Sequence, residues 1–264
     1  MTLPPEIYDR EYYLSDRVEG WEDFREGGLS RIKELELRLL GAGPGARLLD
    51  AGCGRGEVLR AAARSGAEVA GIDYSEAAVD VARDTLAEVP GADVRRGDVA
   101  ELPWEDGSFD RILCGDVIEH LDPEHGRRAL AEFHRVLRPG GRLLVHTAPN
   151  RLFTTLAWPL ARPLLRLVGQ GEAVDGLDFW IEDTRRYHVN EMTLHELRRG
   201  MRHAGFDDPR VWIDPNVIRV GQGHHLTRGL EQSPLMRLAG RVAGLRPLRL
   251  FLGNDIYALG RRDG

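Results

Sequence analysis

Cysteine is nearly absent from this chain. Two stand in 264 residues, Cys53 and Cys114, and neither belongs to a Cys-x-x-Cys pair or a His/Cys cluster. That excludes a disulfide scaffold and a thiolate metal centre, and both thiols read as reduced packing residues of a cytoplasmic protein. Positive charge is also in deficit: 36 Lys and Arg against 42 Asp and Glu leave a net charge of −6. No domain-wide basic field is there to hold nucleic acid. No run reaches the roughly 18 to 20 uncharged apolar residues of a membrane span. Met1 to Asp16 mix Pro4, Pro5, Glu6, Asp9 and Arg10 with tyrosines and lack the apolar core of a secretory signal. No His, Asp or Glu spacing suggests a metal site, so the expectation is chemistry without a metal.

What the chain does have is glycine at telling places. Leu48-Leu49-Asp50-Ala51-Gly52-Cys53-Gly54-Arg55-Gly56-Glu57 is an apolar strand end, a turn with glycine at alternate positions, and the start of the helical pattern Val58, Leu59, Ala62, Ala63. Such glycines permit φ > 0 and leave no Cβ between the backbone and a ligand. A strand feeding a helix start presents free N–H groups at the carboxyl edge of a parallel sheet, where open α/β folds bind ligands. A second strand, Ala67 to Ile72, ends in Asp73-Tyr74 before Ser75, which reads as a helix N-cap. An acid at that strand end is placed to accept hydrogen bonds from both ribose hydroxyls of a nucleoside over the first turn. Strands at Asp93–Arg96, Arg111–Cys114 and Arg142–His146 continue the alternation, and the length suits one large α/β domain with additions.

Four motifs then fall in order. They are Asp50-Ala51-Gly52-Cys53-Gly54-Arg55-Gly56, Gly97-Asp98-Val99-Ala100-Glu101-Leu102-Pro103, Gly107-Ser108-Phe109-Asp110, and Leu137-Arg138-Pro139-Gly140-Gly141-Arg142 running into Leu143-Leu144-Val145. Together they resemble the class I S-adenosylmethionine-dependent methyltransferases, whereas a nicotinamide or flavin domain carries G-x-G-x-x-G. The resemblance implies a Rossmann-like α/β fold: a seven-stranded, mostly parallel sheet with an antiparallel seventh strand, helices on both faces and lid insertions. It implies S-adenosylmethionine as cofactor and S-adenosylhomocysteine as product. By the same resemblance Asp50, Gly52, Cys53 and Gly54 form the cofactor turn, Asp73 and Tyr74 meet the ribose, Asp98 and Val99 meet the adenine, and Gly115 and His120 close the fourth strand's end. The chain then divides into an N-terminal cap (1–40), a cofactor-binding core (41–150), a lid (151–192) and a substrate-side part (193–264) with a basic insertion at 217–254. No Asn-Pro-Pro-(Tyr/Phe) element stands at Gly115-Asp116-Val117-Ile118, which argues against methylation of exocyclic amino groups on nucleobases or of glutamine.

The acceptor is read from the remainder. Tyr12, Tyr13 or Trp21 of the aromatic N-terminal arm either packs across the domain or closes over the cofactor. Arg151 to Val168 is apolar, carries arginines and no acid, and should break at Pro159 and Pro163. It reads as a lid on its own core, as an apolar wall for the acceptor, or as a peripheral membrane contact. The basic, apolar segment and Glu119-His120 look like the ubiquinone-biosynthesis O-methyltransferases. Thr193-Leu194-His195-Glu196 fits a capping box, leaving His195 solvated. Ser233-Pro234 reads as the start of a helix with Leu235, Leu238 and Val242 on one face, and Arg219, Arg228, Arg237, Arg241, Arg246 and Arg249 make a basic stripe. A small-molecule acceptor methylated at oxygen is expected, with His120 and His188 as candidate bases. His146 is expected to point into the core. Methylation at carbon or nitrogen, and a cofactor-binding but inactive partner subunit, are the alternatives.

Overall fold

The strands are β1 (Arg47–Ala51), β2 (Glu68–Asp73), β3 (Asp93–Arg96), β4 (Phe109–Gly115), β5 (Leu137–Thr147), β6 (Asp207–Ile213) and β7 (Ile256–Arg261). In the computed structural model, which describes residues 7–16, 18–214, 245 and 247–264, they form one sheet in the order β3-β2-β1-β4-β5-β7-β6. Strands β1 to β5 pair in parallel, and β7 runs antiparallel to both β5 and β6. From β1 the sheet grows toward β2 and β3 on one side and toward β4 and β5 on the other. Such a reversal opens a crevice at the carboxyl ends of the strands.

Strand alternation decides which side chain faces which layer. Leu49, Ile72, Ile112, Leu143 and Val145 join a core with α6 (Pro123–Val136) and α9 (Leu194–His203) on one face. Leu48, Val69, Leu113 and Leu144 join the opposite core, beneath α3 (Arg31–Leu40), α4 (Glu57–Arg64) and α5 (Glu76–Thr85). The helices start where their caps stand. Ser30 accepts from the Lys33 N–H, Ser75 from that of Ala78, and Thr193 and Glu196 form the full capping box. His195 is exposed, as the sequence suggests.

Two expectations are corrected. The fifth strand begins at Leu137, because Arg138-Pro139-Gly140-Gly141 is absorbed into it opposite a register shift between Phe109 and Arg111. The lid does not break at its prolines: α7 (Trp158–Leu167) runs through Pro163. Pro159 lies in its first turn, where a missing N–H removes little, and both prolines are exposed, so water can reach any carbonyl left unpaired. With α8 (Gly171–Thr184), α7 encloses a small core of Phe153, Trp158, Val174, Leu177 and Ile181. Leu160, Leu164 and Leu167 remain exposed on its outer side. The expected helix after Ser233-Pro234 and Arg219, Arg228, Arg237, Arg241 and Arg246 of the basic stripe lie outside the described residues. No helix among the described residues is long and apolar enough to cross a membrane.

Candidate functional site

The glycine turn is bent against the tip of β2. The N–H groups of Gly52 and Cys53 both donate to the Ile72 carbonyl, at 2.8 and 3.0 Å. Gly52, Gly54 and Gly56 have φ of 88°, 48° and 75°. At Gly52 a Cβ would sit 2.2 Å from a methyl of Val117, so no other residue fits. Asp73 ties the turn from the far side: Oδ2 accepts from the Gly54 N–H and Oδ1 from the Ser75 N–H, each at 2.9 Å. Burial raises the Asp73 carboxyl despite these bonds and one from the Tyr13 hydroxyl. Asp50 and Cys53 are likewise buried, and burial pushes both well above their ordinary values. Beneath the turn lies a buried ion cluster. Burial would raise the Glu57 carboxyl, but Lys33 and Arg55 bring it down to about 2.

The N-terminal arm crosses this crevice. The Tyr13 ring lies over Gly54, 3.6 Å from where its Cβ would be. The Tyr8 carbonyl accepts from the Ser75 hydroxyl at 2.6 Å, while the Tyr8 hydroxyl meets His120 Nδ1 at 3.2 Å. The arm therefore spans from the tip of β2 to the tip of β4. Of the three aromatics considered from sequence, Tyr13 is buried at the turn, Tyr12 packs edge-on against it, and Trp21 stacks on Phe24 over the Arg55 guanidinium.

Beyond β3 the expected residues separate. Val99 is buried in the core beside Ala100 and Leu102, so its side chain is committed to packing. Both Asp98 oxygens meet His125 Nε2, at 3.0 and 2.7 Å, and Oδ1 also accepts from the Ala100 N–H. Tyr74 is 44 % exposed.

At the tip of β4, Gly115 is followed by Asp116, whose φ of 53° is unusual for a residue with a Cβ. The chain then makes a short turn, Ile118–His120. The Glu119 carbonyl accepts from the N–H groups of Val189 and Asn190, at 2.9 and 3.0 Å. That pins the loop after α8 to this turn and sets His188 edge-on against His120, with ring centroids 4.7 Å apart. The Glu119 carboxylate is buried and accepts from the Thr147 hydroxyl at 2.8 Å, and burial beside Asp116 raises it to about 8. Burial lowers His120, and burial together with His120 lowers His188 to about 3, so both rings are neutral near pH 7. His188 also lines an open cleft of about 310 Å³ with Pro123, Arg151, Thr155, Arg185 and Asn190.

His146 is withdrawn from this site, as its place in β5 suggests. It is fully buried, stacked on Tyr257 and enclosed by Glu36, Asp116 and Asp255. Burial opposes its protonation, yet those carboxylates hold its pKa well above the ordinary value. Sequence reasoning missed Tyr8, His125 and Thr147. Each joins the site through a partner far along the chain; the signal available for His125 is Asp122-Pro123, the N-cap and first residue of α6, which places His125 in that helix's first turn.

Residues 49–145 match the family described as Methyltransferase domain. The chain is 36 % identical over 182 residues to a demethylmenaquinone methyltransferase of Staphylococcus aureus, covering 66 % of this chain and 73 % of that one. It is 43 % identical over 208 residues to an uncharacterized protein in a Streptomyces fradiae transposon, covering 76 % of this chain and 55 % of that one. The chain spans about half the length of the first curated relatives it matches, 55 % and 40 %. Among solved structures, geranyl diphosphate C-methyltransferase of Streptomyces coelicolor A3(2) shares the fold, with a TM-score of 0.59 at 19 % identity over 96 % of this chain and 88 % of that one.

Proposed function

The chain belongs to the class I S-adenosylmethionine-dependent methyltransferases, and from that premise we propose that it carries the cofactor's methyl group to a hydroxyl oxygen of a small, apolar or lipid-like acceptor. The turn Gly52-Cys53-Gly54, over Asp50, lies along the methionine part of the cofactor. Asp73, beside Tyr74, takes the ribose hydroxyls in exchange for the Tyr13 hydroxyl. Asp98 takes the adenine amine in place of His125, with the Val99 backbone at the ring, and Gly115 and His120 flank the sulfonium.

Methyl transfer from a sulfonium is an in-line displacement, so holding the acceptor close to the methyl carbon supplies most of the acceleration. The observation that carries the oxygen reading is the pair of neutral imidazoles, His120 and His188, between the tip of β4 and the cleft. A hydroxyl must shed its proton as it takes the methyl group, and in this reading a neutral imidazole receives it. With a pKa near 3 His188 is a weak base, which leaves His120 the better one. The relative named demethylmenaquinone methyltransferase supports a small molecule as acceptor, and the exposed leucines of the lid support an apolar one.

The test is conversion of S-adenosylmethionine to S-adenosylhomocysteine with a panel of phenols and lipid-tailed alcohols, with the product's methyl group located by mass spectrometry. An O-methyl product is expected, and His120→Ala should lower kcat about a hundredfold. A product methylated only on carbon or nitrogen overturns the oxygen assignment. Cofactor binding without turnover on any acceptor overturns the enzymatic one.

A further inference from the structure

Three side chains of metal-ligand type meet where β4 ends. One ligand atom each from Glu119, His120 and His188 lies within 4.8 Å of the other two. The sequence hides this meeting, because His188 arrives from the loop after α8 through the two backbone bonds to the Glu119 carbonyl. We propose that Glu119, His120 and His188 bind a single divalent first-row transition cation of the zinc type, which positions the acceptor's hydroxyl beside the methyl group.

The surroundings fit ligands better than a purely structural cluster. His120 Nδ1 lies 3.2 Å from the Tyr187 carbonyl. The Tyr8 hydroxyl lies at the same distance from Nδ1 and can accept as well as donate; with the proton on Nδ1, donated to the Tyr187 carbonyl, Nε2 keeps its lone pair for a cation. Ligating histidines are oriented in this way, by a hydrogen bond from the other ring nitrogen to a carbonyl or carboxylate. The Thr147 hydroxyl does the same for the Glu119 carboxylate, donating to Oε2 at 2.8 Å. His188 has a buried ring nitrogen, Nδ1, with no hydrogen-bond partner, whereas a histidine kept for packing is ordinarily satisfied. Two imidazoles and one carboxylate suit zinc and its neighbours rather than magnesium or calcium, which favour all-oxygen sets. Bonds of about 2.0 to 2.2 Å bring ligand atoms to roughly 3.3 Å from each other. Small rotations of His188 on its loop close that gap.

Three protein ligands leave positions open, as at catalytic rather than structural centres, and His188 lines the 310 Å³ cleft. A cation there lowers the pKa of a bound hydroxyl, which changes how the acceptor is activated. The hydroxyl proton leaves to water, the oxygen forms its bond to the methyl carbon, and the sulfur–carbon bond breaks with its electron pair returning to sulfur. His120 and His188 then act as ligands rather than proton acceptors.

This inference rests on the hydroxyl-acceptor reading for its role but is tested without an acceptor. The full chain, stripped with chelator, is titrated calorimetrically with Zn²⁺ and Mg²⁺, and Co²⁺ serves as an absorbance probe of imidazole ligation. One equivalent of Zn²⁺ per chain, a visible Co²⁺ band and much weaker Mg²⁺ binding are expected. His188→Ala and His120→Gln should each lower Zn²⁺ affinity at least about tenfold, while His188→Ala still binds S-adenosylmethionine, and the far-ultraviolet circular dichroism of both variants matches the wild type, which reports folding. His195→Ala, on the exposed side of α9, should bind as the wild type does. A stripped chain that takes up neither Zn²⁺ nor Co²⁺, or a His188→Ala chain that binds them equally well, overturns the cation site. Methyl transfer that persists in a chain with no cation affinity removes this inference and leaves the proposed function standing. Cation binding without turnover does the reverse.

Discussion

The tips of β1 and β2 and the tips of β4 and β5 lie along one edge of the sheet, yet they are held in different ways. At β1 and β2 the groups that shape the site are mostly backbone: Gly52 and Cys53 donate to Ile72, and Gly54 and Ser75 donate to Asp73. The segments concerned are near one another in the chain, and Asp50, Cys53, Asp73 and Ser75 are buried there. At β4 and β5 the shaping groups are side chains from separate segments. Tyr8 and Tyr187 reach His120, Thr147 reaches Glu119, and His188 comes from beyond the lid. A seat made of backbone in a local motif is rigid and suits one invariant cofactor. A seat assembled from side chains on distant loops can be reshaped by changing a loop, and suits the part of the reaction that varies between acceptors.

If that contrast is right, damage should be greatest beneath the glycine turn. Glu57→Gln leaves Arg55 and Lys33 without their buried carboxylate and should remove about 3 to 5 kcal/mol of stability in chemical denaturation. The loss should depend on pH in a defined sense. The folded Glu57 carboxyl lies near 2, below the ordinary glutamate value of 4.5. Its contribution is fully present above pH 4.5 and disappears as pH falls toward 2, so wild type and variant should converge over that interval. A difference that stays constant across it would remove the ion cluster as the cause. Next comes Asp73→Ala, which deletes the carboxylate proposed to accept from two ribose hydroxyls. At about 1.5 kcal/mol for each bond to a charged group, cofactor affinity should fall roughly a hundredfold by calorimetry. His188→Ala, at the other end of the same edge, should change it by less than about threefold. Equal losses in the two variants would erase the distinction between the two seats.

The same contrast explains how much could be read from the sequence. The turn, the acid ending β2, the caps at Ser75 and Thr193 and the first four strands follow from patterns shorter than a single strand–helix unit and stand in the structure within a residue or two of expectation, whereas the count of seven strands comes from the resemblance. The corrections fall where tertiary packing overrides a local rule. Pro163 sits within a helix because the exposed face of α7 tolerates a lost hydrogen bond. Leu137 to Gly141 extend β5 because Leu137 pairs with Phe109 before the register shift, while the Gly140 N–H donates to the Arg262 carbonyl and the Gly141 carbonyl accepts from the Arg262 N–H. The meeting of His188 with Glu119 and His120, and of His125 with Asp98, has no local signature. Each depends on how a loop or helix lands on the sheet, which spacing along the chain does not encode.

The smallest effect is expected on the outer side of the lid. Leu164 is 65 % exposed and Leu167 84 % exposed, while the residues that secure α7 to α8 are Trp158, Val174, Leu177 and Ile181 on the inner side. The Trp158 indole N–H also donates to the Asp178 carboxylate at 2.6 Å, so the lid's attachment does not involve the outer leucines. Leu164→Glu therefore removes little buried area and should change stability by less than about 0.5 kcal/mol. It should also leave cofactor affinity unchanged, since the glycine turn is built from other elements. What it should change is turnover with the longest-tailed acceptors, if the apolar side of α7 helps to receive them. Unchanged KM across the acceptor panel would limit α7 to covering its own small core, and a large loss of stability would show that Leu164 is covered by something other than solvent.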